Sequence, residues 1–185
     1  MLDDIYKDAE SRMKKAVEAF KKELSKIRTG RATPALLEGI KVNYYGNLIP
    51  LNQIATIMAP EPRLLRVKPF DQGAIGEIDK AIKSSGLGLN PRVEKGVINI
   101  PIPPLSEERR KELIKLLHKL TEDARVSIRN IRRDAIEMIR EMEKNKEISE
   151  DEKRVAEKKI QDLTDKYIEQ INEIMEAKEK EIMEE

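Results

Sequence analysis

Apolar residues recur at steps of three or four through the first segment of the chain: Leu2, Ile5, Ala9, Met13, Ala16, Phe20, Leu24 and Ile27. Such steps average about 3.6 residues, the period of an α-helix. They predict one continuous helix closing at Thr29-Gly30, where glycine can take the left-handed conformation that ends a helix. The spacing returns from Ser106 through Leu113, Leu117, Leu120, Ala124, Ile128, Ile131, Ala135, Met138 and Met142. This predicts a second long helix, with Glu107 and Glu108 in the first turn, where carboxylates meet the positive end of the helix dipole. Lys144-Asn145-Lys146 interrupts the pattern, and Ser149-Glu150-Asp151-Glu152 has the form of a capping box that opens a third helix. Ala156, Ile160, Leu163, Tyr167, Ile171 and Ile174 carry its stripe, and the spacing loosens toward Met183, where the end is expected to fray.

Between the first two helices the grammar changes, because the prolines and seven of the eight glycines concentrate there. Ile40, Val42 and Tyr44 alternate as in a half-buried strand, Tyr45-Gly46-Asn47 marks a turn, and Leu51 to Met58 and Leu64 to Lys68 read as further strands. Ile75, Ile78 and Ile82 share one helical face in a segment that stops at Gly86. A last strand pair, Arg92-Val93 and Val97 to Ile100, flanks Glu94-Lys95-Gly96, before Pro101, Pro103 and Pro104 forbid regular structure.

None of the three helical stripes can bury its apolar side alone, so together they predict a three-helix bundle. The fold class is therefore α+β: a long bundle built from residues 1–30 and 105–185, with a small β/α/β domain, residues 31–104, inserted after the first helix. The insertion is tethered twice, through Thr29-Gly30-Arg31 and Pro103-Pro104-Leu105, which limits relative motion to a hinge.

Composition narrows the chemistry. Aromatics make up 3% of the chain against 38% charged residues, a balance that suits long amphipathic helices over a sandwich or barrel. With no cysteine, disulfides, thiolate metal sites and cysteine nucleophiles are excluded. No Ser-His-Asp set, HExxH, GxGxxG or GxxxxGK[ST] occurs, so the sequence predicts neither an enzyme nor a bound cofactor or metal. The N-terminus has no apolar leader and no stretch is long enough to span a bilayer, which points to the cytoplasm. Net charge is +1, and residues 143–185 are the acidic part at −6, so any polyanion partner must be read from local patterning.

On the second helix, at about 100° per residue with Arg125 at zero, the apolar stripe falls between about 220° and 300°. Arg125, Arg129, Arg132, Arg133 and Arg140 lie between about −20° and 80°, and Asp123, Asp134, Glu137 and Glu141 between about 120° and 180°. The lone histidine, His118, falls at about 20° in the polar sector, where solvation accounts for it. A face built for solvation alone would interleave its signs to gain i,i+4 pairs, whereas arginine is favoured where a planar fork grips phosphate. From these patterns two readings stay open: an RNA-binding face, or a helical scaffold whose stripes serve packing.

Motifs spread along nearly the whole chain resemble one family. They are Lys26-Ile27-Arg28-Thr29-Gly30-Arg31-Ala32, Tyr44-Tyr45-Gly46, Gly86-Leu87-Gly88-Leu89-Asn90-Pro91, Pro101-Ile102-Pro103-Pro104-Leu105, Ala124-Arg125-Val126-Ser127-Ile128-Arg129-Asn130-Ile131-Arg132-Arg133-Asp134-Ala135, and Lys146-Glu147-Ile148-Ser149-Glu150-Asp151. In this order the set is similar to the ribosome recycling factors. The resemblance implies an L-shaped, monomeric protein that binds the large ribosomal subunit across its tRNA sites. It further implies action with elongation factor G, whose GTP hydrolysis drives disassembly of the post-termination complex. By the same resemblance Arg129 and Arg132 contact rRNA, supported by Arg28, Arg31, Arg125 and Arg133, and Gly30, Arg31, Pro103, Pro104 and Leu105 form the elbow.

Overall fold

Asp3 and Asp4 stand in the first turn of the N-terminal segment and Lys22 in its last, the charge order that a helix dipole favours. In the computed structural model, which describes residues 1–27 and 29–184, this segment is helix α1, Leu2–Ser25. It stops short of Gly30. Lys26 N donates to Glu23 O (3.2 Å) and Ile27 N to Leu24 O (3.0 Å), so tightened final turns occupy the end carbonyls without a glycine.

The second and third helices are α4, Glu107–Lys144, and α5, Glu150–Met183. Their junction is fixed by two devices. Lys146 takes φ +61°, its N–H donating to Glu143 O (3.0 Å) while Glu147 N donates to Met142 O (2.8 Å), the paired bonds of a Schellman stop with lysine where glycine is usual. Ser149 Oγ then accepts from Glu152 N (3.0 Å) while Ser149 N donates to Glu152 Oε1 (3.2 Å), both halves of the expected capping box. Helix α5 continues to Met183, and Ile182 in its last turn is fully buried.

Each helix packs on both others, and the buried set differs from the expected stripes in a consistent way. On α4, Leu120 is only half-buried and Met138 is 47% exposed, while Thr121, Ile136 and Ile139 are buried. The buried arc is thus turned by some tens of degrees toward the arginines, because α4 must face α1 and α5 together. On α1, Val17 rather than Ala16 is buried, and on α5 Thr164 is buried while Leu163 and Ile174 are half-buried. Both buried threonines satisfy their hydroxyls within their own helix: Thr121 Oγ1 donates to Leu117 O (2.7 Å) and Thr164 Oγ1 to Ile160 O (2.8 Å). Polar ties also cross from α1. Arg12 pairs with Asp134 at 3.0 Å, and the buried Tyr167 donates its hydroxyl to Glu10 Oε1 at 3.1 Å.

The remaining chain, Thr29–Ser106, forms its own compact unit. Its strands are β1 (Lys41–Tyr44), β2 (Asn47–Pro50), β3 (Ala55–Glu61), β4 (Leu64–Pro69), β5 (Arg92–Glu94) and β6 (Val97–Pro101). β1 and β2 make a two-stranded antiparallel sheet, and the other four an antiparallel sheet in the order β3-β4-β6-β5. Two hairpins close on two-residue turns, Tyr45-Gly46 and Lys95-Gly96, with φ of 49° and 86° in the first and 47° and 79° in the second. Positive φ at both positions gives the turn a twist matching the strands, which is why glycine stands second in each. Helix α3, Ile75–Lys83, lays Ile78 and Ile82 into a core with Val42, Leu65, Val67, Ile98 and Ile100, all with no exposed surface.

Two expectations are corrected in this unit. Leu51–Ile54 is one helical turn, α2, rather than the start of a strand. Leu51 and Ile54 are buried with Asn52 and Gln53 exposed between them, a spacing that brings both apolar side chains inward only if the backbone is helical. Pro101 also does not prevent regular structure. It ends β6 opposite Leu64, just as Pro69 ends β4 opposite Ala55, at strand ends where a missing N–H costs little.

Asp71 links the two sheets' surroundings. Its Oδ1 accepts from Gly73 N (2.9 Å), and its Oδ2 accepts from the hydroxyls of Tyr44 (2.9 Å) and Tyr45 (3.2 Å). The Gly73 N–H first, then the Tyr44 hydroxyl, hold the Asp71 carboxyl below its usual pKa, while both phenols are raised by the same carboxylate.

These contacts give two tests of stability. Tyr167→Phe should cost about 1 kcal/mol in urea unfolding through loss of the bond to Glu10. Burial first, then Glu10, pushes the Tyr167 phenol up to about 12. A raised folded value means that its contribution is complete below the unfolded pKa of about 10 and is lost as pH rises from there through the folded value. That alkaline loss should be absent from the phenylalanine variant. Asp71 has the opposite sign: its depressed pKa adds stability above the unfolded value of about 3.9, lost as pH falls through the folded one. Asp71→Asn should therefore melt lower than the wild type near neutrality, and the gap should narrow in acid, as followed by circular dichroism.

Candidate nucleic-acid interface

Because the buried arc of α4 turns toward the arginine sector, the arginines do not form one uniform row. Arg125 and Arg132 fall at the edge of the α4–α5 seam and are half-buried, while Arg129 and Arg133 are exposed. Arg125 donates from Nε (3.0 Å) and Nη2 (2.7 Å) to Asn172 Oδ1 on α5. Seven residues on, Arg132 Nε donates to Gln161 Oε1 on α5 at 2.7 Å. Farther along the same seam Arg140 Nε meets Glu157 Oε1 at 3.1 Å. Arg133 bonds within α4, to Asn130 Oδ1.

The accepting groups decide how much charge survives. Asn172, Gln161 and Asn130 are neutral amides, so they orient a guanidinium without cancelling it. Among the described residues, Glu122 is the carboxylate paired with this group, at 3.4 Å from Arg125 Nη1 and 3.2 Å from Arg129 Nη1. Arg132 and Arg133 form no ion pair among the described residues. Four guanidiniums spread over about 12 Å of helix thus share one carboxylate, and the N–H groups left over are suited to forked bonds with phosphate oxygens.

Glu122 lies one turn before Arg125 at about 60° on the wheel, inside the basic sector, so its place is legible from spacing. Gln161 and Asn172 are a different case. Nothing in α5 alone marks them, because their partners follow from the register between two helices far apart in sequence. His118 is exposed, 3.6 Å from Glu179.

The other expected site residues lie elsewhere. Arg28 is outside the described residues. Arg31 is exposed and belongs to the inserted unit, as do Gly30, Pro103, Pro104 and Leu105. The ends of that unit are anchored on one turn: Ala32 N donates to Pro62 O (2.7 Å) and Ile102 N to Arg63 O (2.8 Å). A hollow of about 570 Å³ in the same unit is lined by Pro34, Leu37, Ile40, Leu51, Ile57 and Phe70, with Glu38 its one charged member. No described helix is long and apolar enough to cross a membrane.

Against this geometry stand the similarities to known proteins. The model of the family "Ribosome recycling factor" matches residues 20–183. The ribosome-recycling factor of Symbiobacterium thermophilum is 54% identical over 184 residues, covering 100% of both chains. A solution structure of the ribosome recycling factor, 54% identical, superposes with a TM-score of 0.70 over 98% of this chain and 97% of that one. A second structure describes models of the T. thermophilus ribosome recycling factor and the E. coli elongation factor G bound to the E. coli post-termination complex. It is 46% identical, with a TM-score of 0.64 and full coverage of both chains. Helical bundle, inserted sheet unit and end-to-end identity agree: the chain belongs to the ribosome recycling factor family.

Proposed function

We propose that this protein binds the large ribosomal subunit after termination through the arginine face of α4 and, with elongation factor G and GTP, promotes dissociation of the post-termination complex. The observation that carries the reading is the set of four guanidiniums, Arg125, Arg129, Arg132 and Arg133, held on a stiff helix with Glu122 as their one carboxylate partner among the described residues. Arg129 and Arg132 are the primary rRNA contacts, Arg125 and Arg133 the supporting ones on α4, and Arg28 and Arg31 add supporting charge. Structured RNA suits such a face, since guanidiniums both grip phosphates and stack on bases.

In this reading the protein acts in the cytoplasm as a monomer and does no chemistry of its own. The free energy for subunit separation comes from the partner's nucleotide. The 38-residue α4 spans about 57 Å and transmits force as a rod. The linkers Gly30-Arg31 and Pro103-Pro104-Leu105 serve as the hinge. Support for this comes from the anchoring of Ala32 and Ile102, which fixes where the inserted unit begins on both linkers.

The direct test is sedimentation of post-termination ribosomes incubated with this protein, elongation factor G and GTP, which should yield free subunits; intact ribosomes would refute the function. Arg132→Ala should weaken binding to large subunits and lower the slope of log affinity against log salt by about 1, with an unchanged melting curve. Gly30→Pro should slow subunit release far more than it weakens binding, and normal release kinetics would count against the hinge.

A further inference from the structure

The α4–α5 seam repeats one contact with different chemistry. Glu157 and Gln161 are one turn apart on α5, and each accepts a hydrogen bond from an arginine Nε of α4: Glu157 Oε1 from Arg140 at 3.1 Å, Gln161 Oε1 from Arg132 at 2.7 Å. At the first position the acceptor is a carboxylate and the pair is neutral. At the second it is an amide and the arginine keeps its charge. The two amino acids differ by one terminal group and reach equally far, so the contact to the arginine does not by itself demand glutamine at 161.

Gln161 is itself held. Its Nε2 donates to Asp165 Oδ1, one turn on, at 2.9 Å. That bond fixes which end of the amide is nitrogen and therefore turns Oε1 toward Arg132. The negative charge of Asp165 is coupled to the arginine through the amide rather than by direct contact. Arg132 spends its Nε–H on this bond, and the four N–H groups on Nη1 and Nη2 make no hydrogen bond with the described residues. They form the end-on fork that meets two oxygens of one phosphate.

We infer that Gln161, oriented by Asp165, is a positioning residue that fixes Arg132 in a charged, end-on pose for an RNA phosphate, and that its neutrality is the property that matters. This rests on the reading of the α4 face as an rRNA surface. Pre-orienting the guanidinium removes rotamer entropy that binding would otherwise have to overcome, and the amide does so while leaving the counter-charge to be supplied by the RNA.

The test measures equilibrium binding of the full-length chain to large ribosomal subunits across a series of potassium chloride concentrations, with thermal melting of each variant. Gln161→Glu retains the acceptor but supplies a counter-charge. It should bind roughly tenfold more weakly at low salt, with the salt slope reduced by about 1 to match Arg132→Ala. Gln161→Met removes the acceptor but leaves the arginine charged, so affinity should fall while the slope stays at the wild-type value. If Gln161→Glu binds with wild-type affinity and slope while Arg132→Ala is impaired, the positioning role is overturned and the RNA face stands. Weakened binding by Gln161→Glu with an unchanged slope and a lowered melting midpoint would assign the residue to folding and also overturn it. Wild-type binding by Arg132→Ala would remove the RNA face itself, and this inference with it.

Discussion

Helix α4, like its two partners, must bury apolar surface against two neighbours while the rest of its surface stays charged, and this double demand sets where its arginines can go. A helix with one partner needs only a narrow stripe, but α4 packs on both α1 and α5. Its buried arc therefore widens to take in Thr121, Ile136 and Ile139 and reaches the sector that holds Arg125 and Arg132. Those side chains become ties to α5, Arg125 through Nε and Nη2 and Arg132 through Nε alone. Packing and RNA recognition thus draw on the same residues. Arginine alone among the cations serves both uses, because its planar head carries donors on more than one edge.

The choice of partner across each seam then tunes how much charge is offered. Arg12 meets Asp134 and Arg140 meets Glu157, so these positions are neutralised. Asn172 and Gln161 hold their arginines with amides. An exposed ion pair contributes only about 0–1 kcal/mol, so exchanging carboxylate for amide costs the fold little. The bundle can therefore carry a graded charge pattern with a nearly constant stability.

Much of this architecture was legible in the sequence because the signals were local. The capping box at Ser149, the break at Lys146 and the turns at Gly46 and Gly96 each depend on a few neighbouring residues, and all lie where spacing places them. Other features were not legible. Buried threonines escape a pattern that counts only apolar residues. The turn at Leu51–Ile54 is too short for periodicity to separate helix from strand, and only its packing on the sheet decides. The amide partners of the arginines depend on the register between α4 and α5, which no single segment contains. The arginine cluster itself was visible, yet its division into seam and outer members was not, since that follows from the rotation of the buried arc.

The anchoring of Ala32 and Ile102 on adjacent carbonyls, Pro62 and Arg63, has an architectural consequence. A segment that enters and leaves at one turn is topologically a closed guest: its entry and exit lie side by side, and its own core of Val42, Leu65, Val67, Ile98 and Ile100 is complete without the host. Such a module can be gained, lost or exchanged between the first two rods of the host with only a short splice to bridge the gap, and its folding need not wait for the C-terminal rod to be made.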